Sequence, residues 1–519
     1  MKKKVTRAIV SVTDKTGIAD FVKELAGLGV EIISTGGTAK LLEEAGINVV
    51  GISDYTGSPE MLGGRVKTLH PRIHGGILGM REDDTHKKQM EENNILPIDM
   101  VVVNLYAFED TIAKGCSLEE AIENIDIGGP TMLRSAAKNY NDVAVVTDPN
   151  DYSKILEEMK ANDASLDKDT RFYLSRKVFQ LTARYDGAIS NYLGKINGSE
   201  TNEYPETLTT QFKKIQDLRY GENPHQSAAF YSENPEVAGS LATSKQLQGK
   251  ELSFNNILDL HAALELVREF DDPAAIIIKH NNPCGAAIGD SAQDAYEKAL
   301  VCDSKSAFGG IVGLNRKVDK AMAEKLNEIF LEAVVAPGYD DDALEAFKAK
   351  KNVRIIEVGE LTDKVGLTFE TKKVSGGILV QGLDKESVNE IKTATDKEPT
   401  DEEMKNLMFA WKVCKHVKSN TIVFAKEGRT IGIGAGQMSR IDATNIAAMK
   451  AKDAGLDVKG CVMASDAFFP FRDNVDAAAE NGITAIISPG GSIRDDEVLE
   501  AAKEHNIAMV FTAMRHFRH

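Results

Sequence analysis

Along residues 7–150, short apolar runs alternate with stretches in which apolar positions return every three or four residues. The runs at 8–12, 31–34, 48–52, 100–105 and 143–147 have strand length and β-branched content, and the stretches at 18–28 and 38–45 carry helical periodicity. Strands alternating with helices predict a mostly parallel sheet covered by helices, an α/β domain. Residues 150–196 read as helical throughout. The stretch 197–211 that follows is polar, contains Pro205 and has little periodicity, which predicts a boundary between domains 1–197 and 198–519.

The second part mixes strands and helices again, with strand candidates at 274–279, 310–314, 353–358, 421–425, 430–433, 483–488 and 507–512. Lys426-Glu427-Gly428-Arg429 between two of them predicts a hairpin turn. A link between two subdomains is expected near 340–400, where the charged segment 384–403 carries Pro399. No short-period repeat is visible, which argues against a solenoid.

At 519 residues the chain is too long for a lone binding module, and 42% hydrophobic with 27% charged residues is the balance of a globular protein. Lys and Arg number 62 against 79 Asp and Glu, a net charge of −17 that repels phosphate backbones and anionic lipid. Nucleic acid and membrane are therefore not expected partners. The basic start, MKKKVTR, precedes only a five-residue apolar run at 8–12, too short for a signal-peptide core, and no run of 18 apolar residues exists. Cys116, Cys284, Cys302, Cys414 and Cys461 are odd in number and widely spaced, which together with the missing signal predicts a reducing, cytoplasmic location.

Candidate chemistry begins with three glycine loops. Ser34-Thr35-Gly36-Gly37-Thr38 follows an apolar run and leads into a helix, so its backbone N–H groups suit a phosphate at a positive helix end, or simply a tight turn. Asp126-Ile127-Gly128-Gly129-Pro130-Thr131 and Pro489-Gly490-Gly491-Ser492 share that logic. Beside them are Lys15 and the segment Gly63-Gly64-Arg65-Val66-Lys67-Thr68, where an extended backbone would set Arg65 and Lys67 on one side as an anion clamp. A P-loop, an HExxH helix and paired cysteines are absent, and Gly432-Ile433-Gly434-Ala435-Gly436 lacks dinucleotide-fingerprint spacing. No catalytic metal is expected.

In the second half the apolar run ending at Ile278 leads into Lys279-His280-Asn281-Asn282-Pro283-Cys284-Gly285, a polar rim at the end of a strand. Of the ten histidines, His280 is the candidate general base, with a structurally hydrogen-bonded histidine as the alternative. The stretch from Ser465 to Asp473 mixes aromatics and charges, suited either to a flat heteroaromatic ligand or to a core loop capped by Asp473.

Seven segments in order, STGGT (34–38), GGRVKTLHP (63–71), DIGGPTMLRSAAKN (126–139), RYGENPHQ (219–226), KHNNPCG (279–285), IGIGAGQMSR (431–440) and SDAFFPFRDNVD (465–476), resemble one family across essentially the whole chain. It is the bifunctional purine-biosynthesis family that joins aminoimidazole-carboxamide ribonucleotide (AICAR) formyltransferase to inosine monophosphate (IMP) cyclohydrolase. The resemblance implies a methylglyoxal-synthase-like N-terminal domain with a parallel sheet, then two cytidine-deaminase-like α/β subdomains without zinc. It implies a homodimer with formyltransferase sites at the subunit interface. The substrates would be AICAR, formyl-AICAR and IMP, with 10-formyltetrahydrofolate as co-substrate.

Residue by residue, the resemblance implies Lys67, Tyr106, Asp126 and Lys138 for ring-closing chemistry, with Lys138 as proton carrier. Nucleotide contacts would come from Lys15, Ser34, Thr35, Gly36, Gly37, Thr38, Arg65, Thr68, Asn104, Ile127, Gly128 and Gly129. For formyl transfer it implies Lys279, His280 and Asn420 as catalytic, Arg219 and Tyr220 as an AICAR-binding pair, and Phe308 with Gly309 lining the same site. Arg440, Ile441, Phe468, Asp473 and Arg515, with Glu332, Ser492 and Ile493, complete the candidate substrate contacts. Ala107 stands where the family usually has proline, so the turn placing Tyr106 lacks a ring-fixed backbone angle. A competing expectation, a regulatory nucleotide-binding protein with one decayed half, is disfavoured because Lys138, Lys279 and His280 are all present.

Overall fold

The computed structural model describes residues 2–197, 200–233, 236–361 and 369–519. The chain divides into two compact units, Met1–Gln211 and Phe212–His519. The expected boundary at 197/198 abuts residues 198–199, which lie outside the described residues. Residues 207–211 pack with the first unit, where Asn191 Nδ2 donates to the Thr209 carbonyl at 2.6 Å and Thr209 N–H donates back to Asn191 Oδ1 at 2.9 Å.

In the first unit, β1 (Arg7–Ser11), β2 (Glu31–Ser34), β3 (Val50–Gly51), β4 (Met100–Val103) and β5 (Ala144–Val146) form a parallel sheet in the order β3-β2-β1-β4-β5. The central strands are buried on both faces, as their unbroken apolar runs require, and helices α1 (Ile18–Gly27), α2 (Gly36–Glu44), α3 (Pro71–Leu78) and α4 (Gly128–Lys138) cover them. The stretch expected to be helical from 150 to 196 is instead two helices, Tyr152–Ala161 and α5 (Lys168–Leu193). Between them Asp163 and Ala164 take left-handed backbone, and Ser165–Leu166 pairs with Lys3–Lys4. Helical periodicity does not register such a two-residue reversal.

In the second unit, twelve strands among the described residues form one mixed sheet. Its first half is built from β6 (Lys245–Gln248), α6 (Phe254–Val267), β7 (Ala274–Lys279), β8 (Asn282–Ile288), α7 (Ala292–Cys302), β9 (Gly310–Leu314), α8 (Lys320–Leu326), β10 (Leu331–Ala336), α9 (Asp341–Phe347) and β11 (Arg354–Glu357). The second half repeats the sequence of elements: β12 (Lys392–Thr393), α10 (Asp401–Lys415), β13 (Ile422–Lys426), β14 (Arg429–Gly434), α11 (Arg440–Asp453), β15 (Val462–Ser465), α12 (Asp473–Glu480), β16 (Ala485–Ser488), α13 (Asp495–Glu504) and β17 (Ala508–Phe511). The order is β6-β11-β10-β9-β7-β8-β14-β13-β15-β16-β17-β12. Each half has an antiparallel hairpin, three mutually parallel strands and an antiparallel edge strand, and the halves join through β8 and β14. This is a duplicated α/β architecture. The expected link near 340–400 includes 362–368, outside the described residues, followed by the hairpin Phe369–Val374 and Gly377–Gly382.

Candidate functional site

The loops of the first unit gather at the carboxyl ends of its parallel strands, the usual ligand edge of such a sheet. The Ser34 turn runs from β2 into α2 as expected, whereas Asp126 lies between the helix Leu118–Glu123 and α4 and follows no strand. Several candidate contacts hold this scaffold. Ser34 Oγ donates to the Val10 carbonyl at 2.7 Å, Thr38 Oγ1 accepts from Val12 N–H at 3.1 Å, and Asn104 Oδ1 accepts from Thr13 and Asp14 N–H at 2.6 and 3.0 Å. Lys15 Nζ turns inward to Thr38 Oγ1 at 2.6 Å and to the Val12 carbonyl, and burial lowers its proton affinity.

Lys67 lies over two glycines: Cβ atoms at Gly36 and Gly64 would fall 3.9 Å from its Nζ and 2.7 Å from its Cε. Its ammonium pairs with Glu60 at 3.1 Å. Thr68 borders Gly128, whose Cβ would meet Thr68 Oγ1 at 2.7 Å. The expectation that Arg65 and Lys67 share one side of an extended segment does not hold. Leu62–Gly64 is a 3₁₀ turn, Arg65 has helical backbone angles, and Arg65 pairs with Glu123 instead. The double glycine winds the chain where alternation would need it straight.

Burial raises the Asp126 carboxyl above the usual carboxylate range, against the backbone N–H groups of Gly129, at 2.8 Å, and Tyr106, which favour its anion. Tyr106 is half exposed beside it, and Ile127 is exposed. Ala107 has φ −78°, within proline's range, so the turn keeps a proline-like angle without the ring. Lys138 is exposed at the other end of α4, ten residues from Gly128 and so about 15 Å along the helix axis. The geometry brings Lys67, Thr68, Gly36 and Gly128 together and leaves Lys138 apart from Asp126.

In the second unit the polar segment after β7 is a hairpin rather than a strand followed by a loop. Lys279 pairs with Asn282, and His280 and Asn281 form the two-residue turn with φ of 52° and 61°, the left-handed pair of a type I′ turn. Asn282–Ile288 is a strand despite Pro283, because the pairing shifts register between Ile277 and Ile278 and absorbs the proline at a bulge. His280 is exposed at the tip. Lys279 Nζ donates to the carbonyls of Phe308 at 3.1 Å and Gly309 at 2.9 Å; Gly309 has φ 68°, and a Cβ there would come 3.2 Å from that ammonium. Phe308 and Phe330 meet beside it as a tilted ring pair, centroids 5.4 Å apart.

Asn420 reaches the same end of the sheet through Asn282. Asn282 Nδ2 donates to the His280 carbonyl at 3.3 Å, while its Oδ1 accepts from Lys418 N–H at 3.0 Å, two residues before Asn420. Asn420 Nδ2 donates to the Gln437 carbonyl at 3.0 Å and its Oδ1 accepts from Arg440 Nη2 at 2.8 Å. The Ser419–Asn420 peptide is cis.

The remaining candidates divide by environment. Arg440 is buried, its guanidinium paired with Asp466 and donating to Ser465 Oγ at 2.9 Å, and Ile441 follows it on α11. Glu332 pairs with Arg354 at 2.7 Å. Phe468 and Arg515 line a cavity of about 500 Å³ with Gly490, Gly491, Phe511 and Met514. Asp473 opens α12 and accepts from Asn474 at 2.8 Å, and after the glycine loop Ser492 is half-buried and Ile493 exposed. Arg219 stacks on Tyr220 at 4.7 Å and donates to its hydroxyl at 2.9 Å. Among the described residues no group of three or more His, Cys, Asp or Glu is placed to hold a metal ion, and no helix is long and apolar enough to cross a membrane.

The model of the AICARFT/IMPCHase bienzyme matches residues 136–450, and that of the MGS-like domain matches 17–131. The chain is 57% identical over 530 residues to the bifunctional purine biosynthesis protein PurH of Magnetococcus marinus, covering 99% of this chain and 100% of that one. The chain belongs to the AICARFT/IMPCHase bienzyme family. It is an AICAR formyltransferase and IMP cyclohydrolase of purine biosynthesis, with 10-formyltetrahydrofolate as formyl donor. The crystal structure of ForH is also similar, at 35% identity over 36% of this chain and 97% of its own, with a TM-score of 0.32.

Sequence reasoning missed Glu60 and Glu123, the carboxylates that meet Lys67 and Arg65, as well as Phe330 and the bridging role of Asn282. Asn282 stood inside a quoted motif. Asp259, whose carboxylate accepts from the N–H of Asn281 at 2.7 Å, was missed too, although a carboxylate between Leu258 and Leu260 on an apolar helix is a readable irregularity.

Proposed function

We propose that formyl transfer takes place at the His280 turn and ring closure at the Lys67–Asp126 cleft. The observation that carries the first assignment is the single side chain of Asn282 tying the His280 turn to the strand that begins after Asn420. The AICAR amine is a weak nucleophile because its lone pair is delocalised, so a base and tight positioning must act together. His280 takes the amine proton as the nitrogen attacks the formyl carbon. Lys279 directs two of its three ammonium donors at carbonyls, which leaves the third for the oxyanion of the tetrahedral intermediate. The carbon–nitrogen bond to tetrahydrofolate then breaks, and the proton leaves with that nitrogen.

In ring closure the carboxamide nitrogen attacks the formyl carbon and water is lost. Lys67 stabilises the oxyanion, and Asp126, kept receptive to a proton by burial, relays one to the departing hydroxyl. Lys138 is the further proton carrier of this reading. Arg219 and Tyr220 hold AICAR, in a cytoplasmic homodimer whose formyltransferase sites lie at the subunit interface; the acidic surface is what sets nucleic acid aside.

The test is one reaction containing the protein, AICAR and 10-formyltetrahydrofolate, followed for tetrahydrofolate and IMP. His280→Ala removes tetrahydrofolate release and still converts preformed formyl-AICAR to IMP. Normal transfer by that variant would refute the assignment.

A further inference from the structure

The two halves of the mixed sheet contain the same turn held in the same way. In the second half, Asn406, sixth residue of α10, accepts from the N–H of Gly428 at 2.8 Å. In the first, Asp259, sixth residue of α6, accepts from the N–H of Asn281 at 2.7 Å, and in both pairs the partners are 22 residues apart. The two turns differ in what they present. The second carries Glu427 and Gly428, φ 54° and 67°, so glycine takes one of the left-handed positions without steric cost. The first carries His280 and Asn281, both with side chains in left-handed backbone.

A neutral amide is therefore sufficient to hold this turn, and the catalytic copy has a carboxylate in its place. We propose that Asp259 is a positioning residue for formyl transfer, holding the His280–Asn281 turn and setting a fixed negative charge behind His280. The inference rests on His280 being the base.

The N–H of His280 also points to the Asp259 carboxylate, and the carboxylate faces the His280 imidazole and the Lys279 ammonium. Burial raises Asp259 above the usual carboxylate range, while those two backbone donors and the Lys279 ammonium act to keep it ionised. As the imidazole accepts the amine proton, its positive charge forms beside an anion already in position, which requires no reorganisation at that moment. The hydrogen bonds fix where the ring can go, and the charge acts only once the proton has moved.

Asp259→Asn separates these parts, because Asn406 shows that an amide holds such a turn. The variant is expected to melt like the parent and to cyclise formyl-AICAR at the parental rate. Its kcat for formyl transfer falls roughly 10- to 100-fold, with KM for AICAR and for the folate within about twofold. The double variant Asp259→Asn/Asn281→Gly reproduces the second half's own turn; it too is expected to stay slow, since it restores backbone ease and not charge. Transfer within about twofold of the parent by either variant would overturn the proposal. His280→Ala is assayed alongside. Normal transfer by His280→Ala would remove the underlying reading, whereas its inactivity together with an unimpaired Asp259→Asn refutes the positioning role alone.

Discussion

Arg440 and Asp466 form an ion pair closed off from solvent, with the Asp466 side chain fully buried and Arg440 reaching on to Asn420 Oδ1 at 2.8 Å. Arg440 was a candidate substrate contact in the sequence, yet its guanidinium is occupied by Asp466, Ser465 and Asn420. Removing one member of such a pair strands the other charge, which costs about 3–5 kcal/mol. Arg440→Met is therefore expected to melt well below the parent by calorimetry and to lose formyl transfer with that instability, while cyclisation in the other unit survives. A stable Arg440→Met protein with only a raised KM would return Arg440 to the substrate.

A second buried cluster sets a pH limit. Burial pushes Glu269 upward, but the hydrogen bond and charge of His416 and the ammonium of Lys415, at 2.9 and 3.0 Å, outweigh it and hold the carboxyl at about 2. A depressed folded pKa contributes stability that is present above the unfolded value, near 4.5, and is lost as pH falls towards 2. Glu269→Gln should destabilise the protein at pH 7, by less than the full shift implies, because burial lowers the proton affinity of His416 and leaves its charge incomplete there. The gap between variant and parent in denaturant melts should close between pH 4.5 and 2; a gap constant with pH would refute the linkage.

How much of this could be read beforehand depended on the reach of each signal. The parallel sheet of the first unit was legible because both faces are buried, giving unbroken runs such as Met100–Val103. The hairpin turn at Glu427–Gly428 was legible from its glycine, whereas its counterpart at His280–Asn281 was not, because the left-handed backbone there is imposed by Asp259 from a helix 22 residues away. The paired subdomains were implied by the family resemblance alone, because the duplication survives in topology and in the Asp259–Asn281 and Asn406–Gly428 contacts, not in a repeated motif. Local patterns found Lys279 and His280; only tertiary contact could show that Arg440 is spent on Asp466 and that Lys138 sits at the far end of α4.

Asp126 carries a pH prediction of the opposite sign. Burial raises its folded pKa, so the stability contributed by the neutral carboxyl is complete below the unfolded carboxylate value and is lost as pH rises through the folded one. At pH 7 the ionised group is a net cost. Asp126→Asn should melt at or above the parental temperature at pH 7, lose that advantage in acid, and convert formyl-AICAR to IMP at least tenfold more slowly. A destabilised Asp126→Asn at pH 7 would mean that the Gly129 and Tyr106 N–H groups, not burial, dominate.

Ala107 allows the turn before Tyr106 to be tested by adding a constraint. Its φ of −78° already suits proline. Ala107→Pro removes freedom from the unfolded chain at a compatible angle, a gain of about 0.4–1 kcal/mol. The first unit should melt slightly higher, with cyclisation unchanged, because Tyr106 keeps its place. A loss of cyclisation without a loss of stability would show that Tyr106 must move during ring closure and that the ring pins it.

The separation of Lys138 from Asp126 makes the sharpest comparison in the first unit. Lys67 stands over Gly36 and Gly64 in the cleft, whereas Lys138 is exposed about 15 Å along α4 from Gly128. Lys67→Ala should lower kcat for cyclisation by about 100-fold or more, and Lys138→Ala, which removes the proton carrier, should also lower kcat, the end of α4 closing towards the cleft when formyl-AICAR binds. Both variants should keep formyl transfer, so an assay lacking the second step accumulates formyl-AICAR. If Lys138→Ala instead acts only through KM, the free protein's geometry is the one that reacts and Lys138 is not the proton carrier.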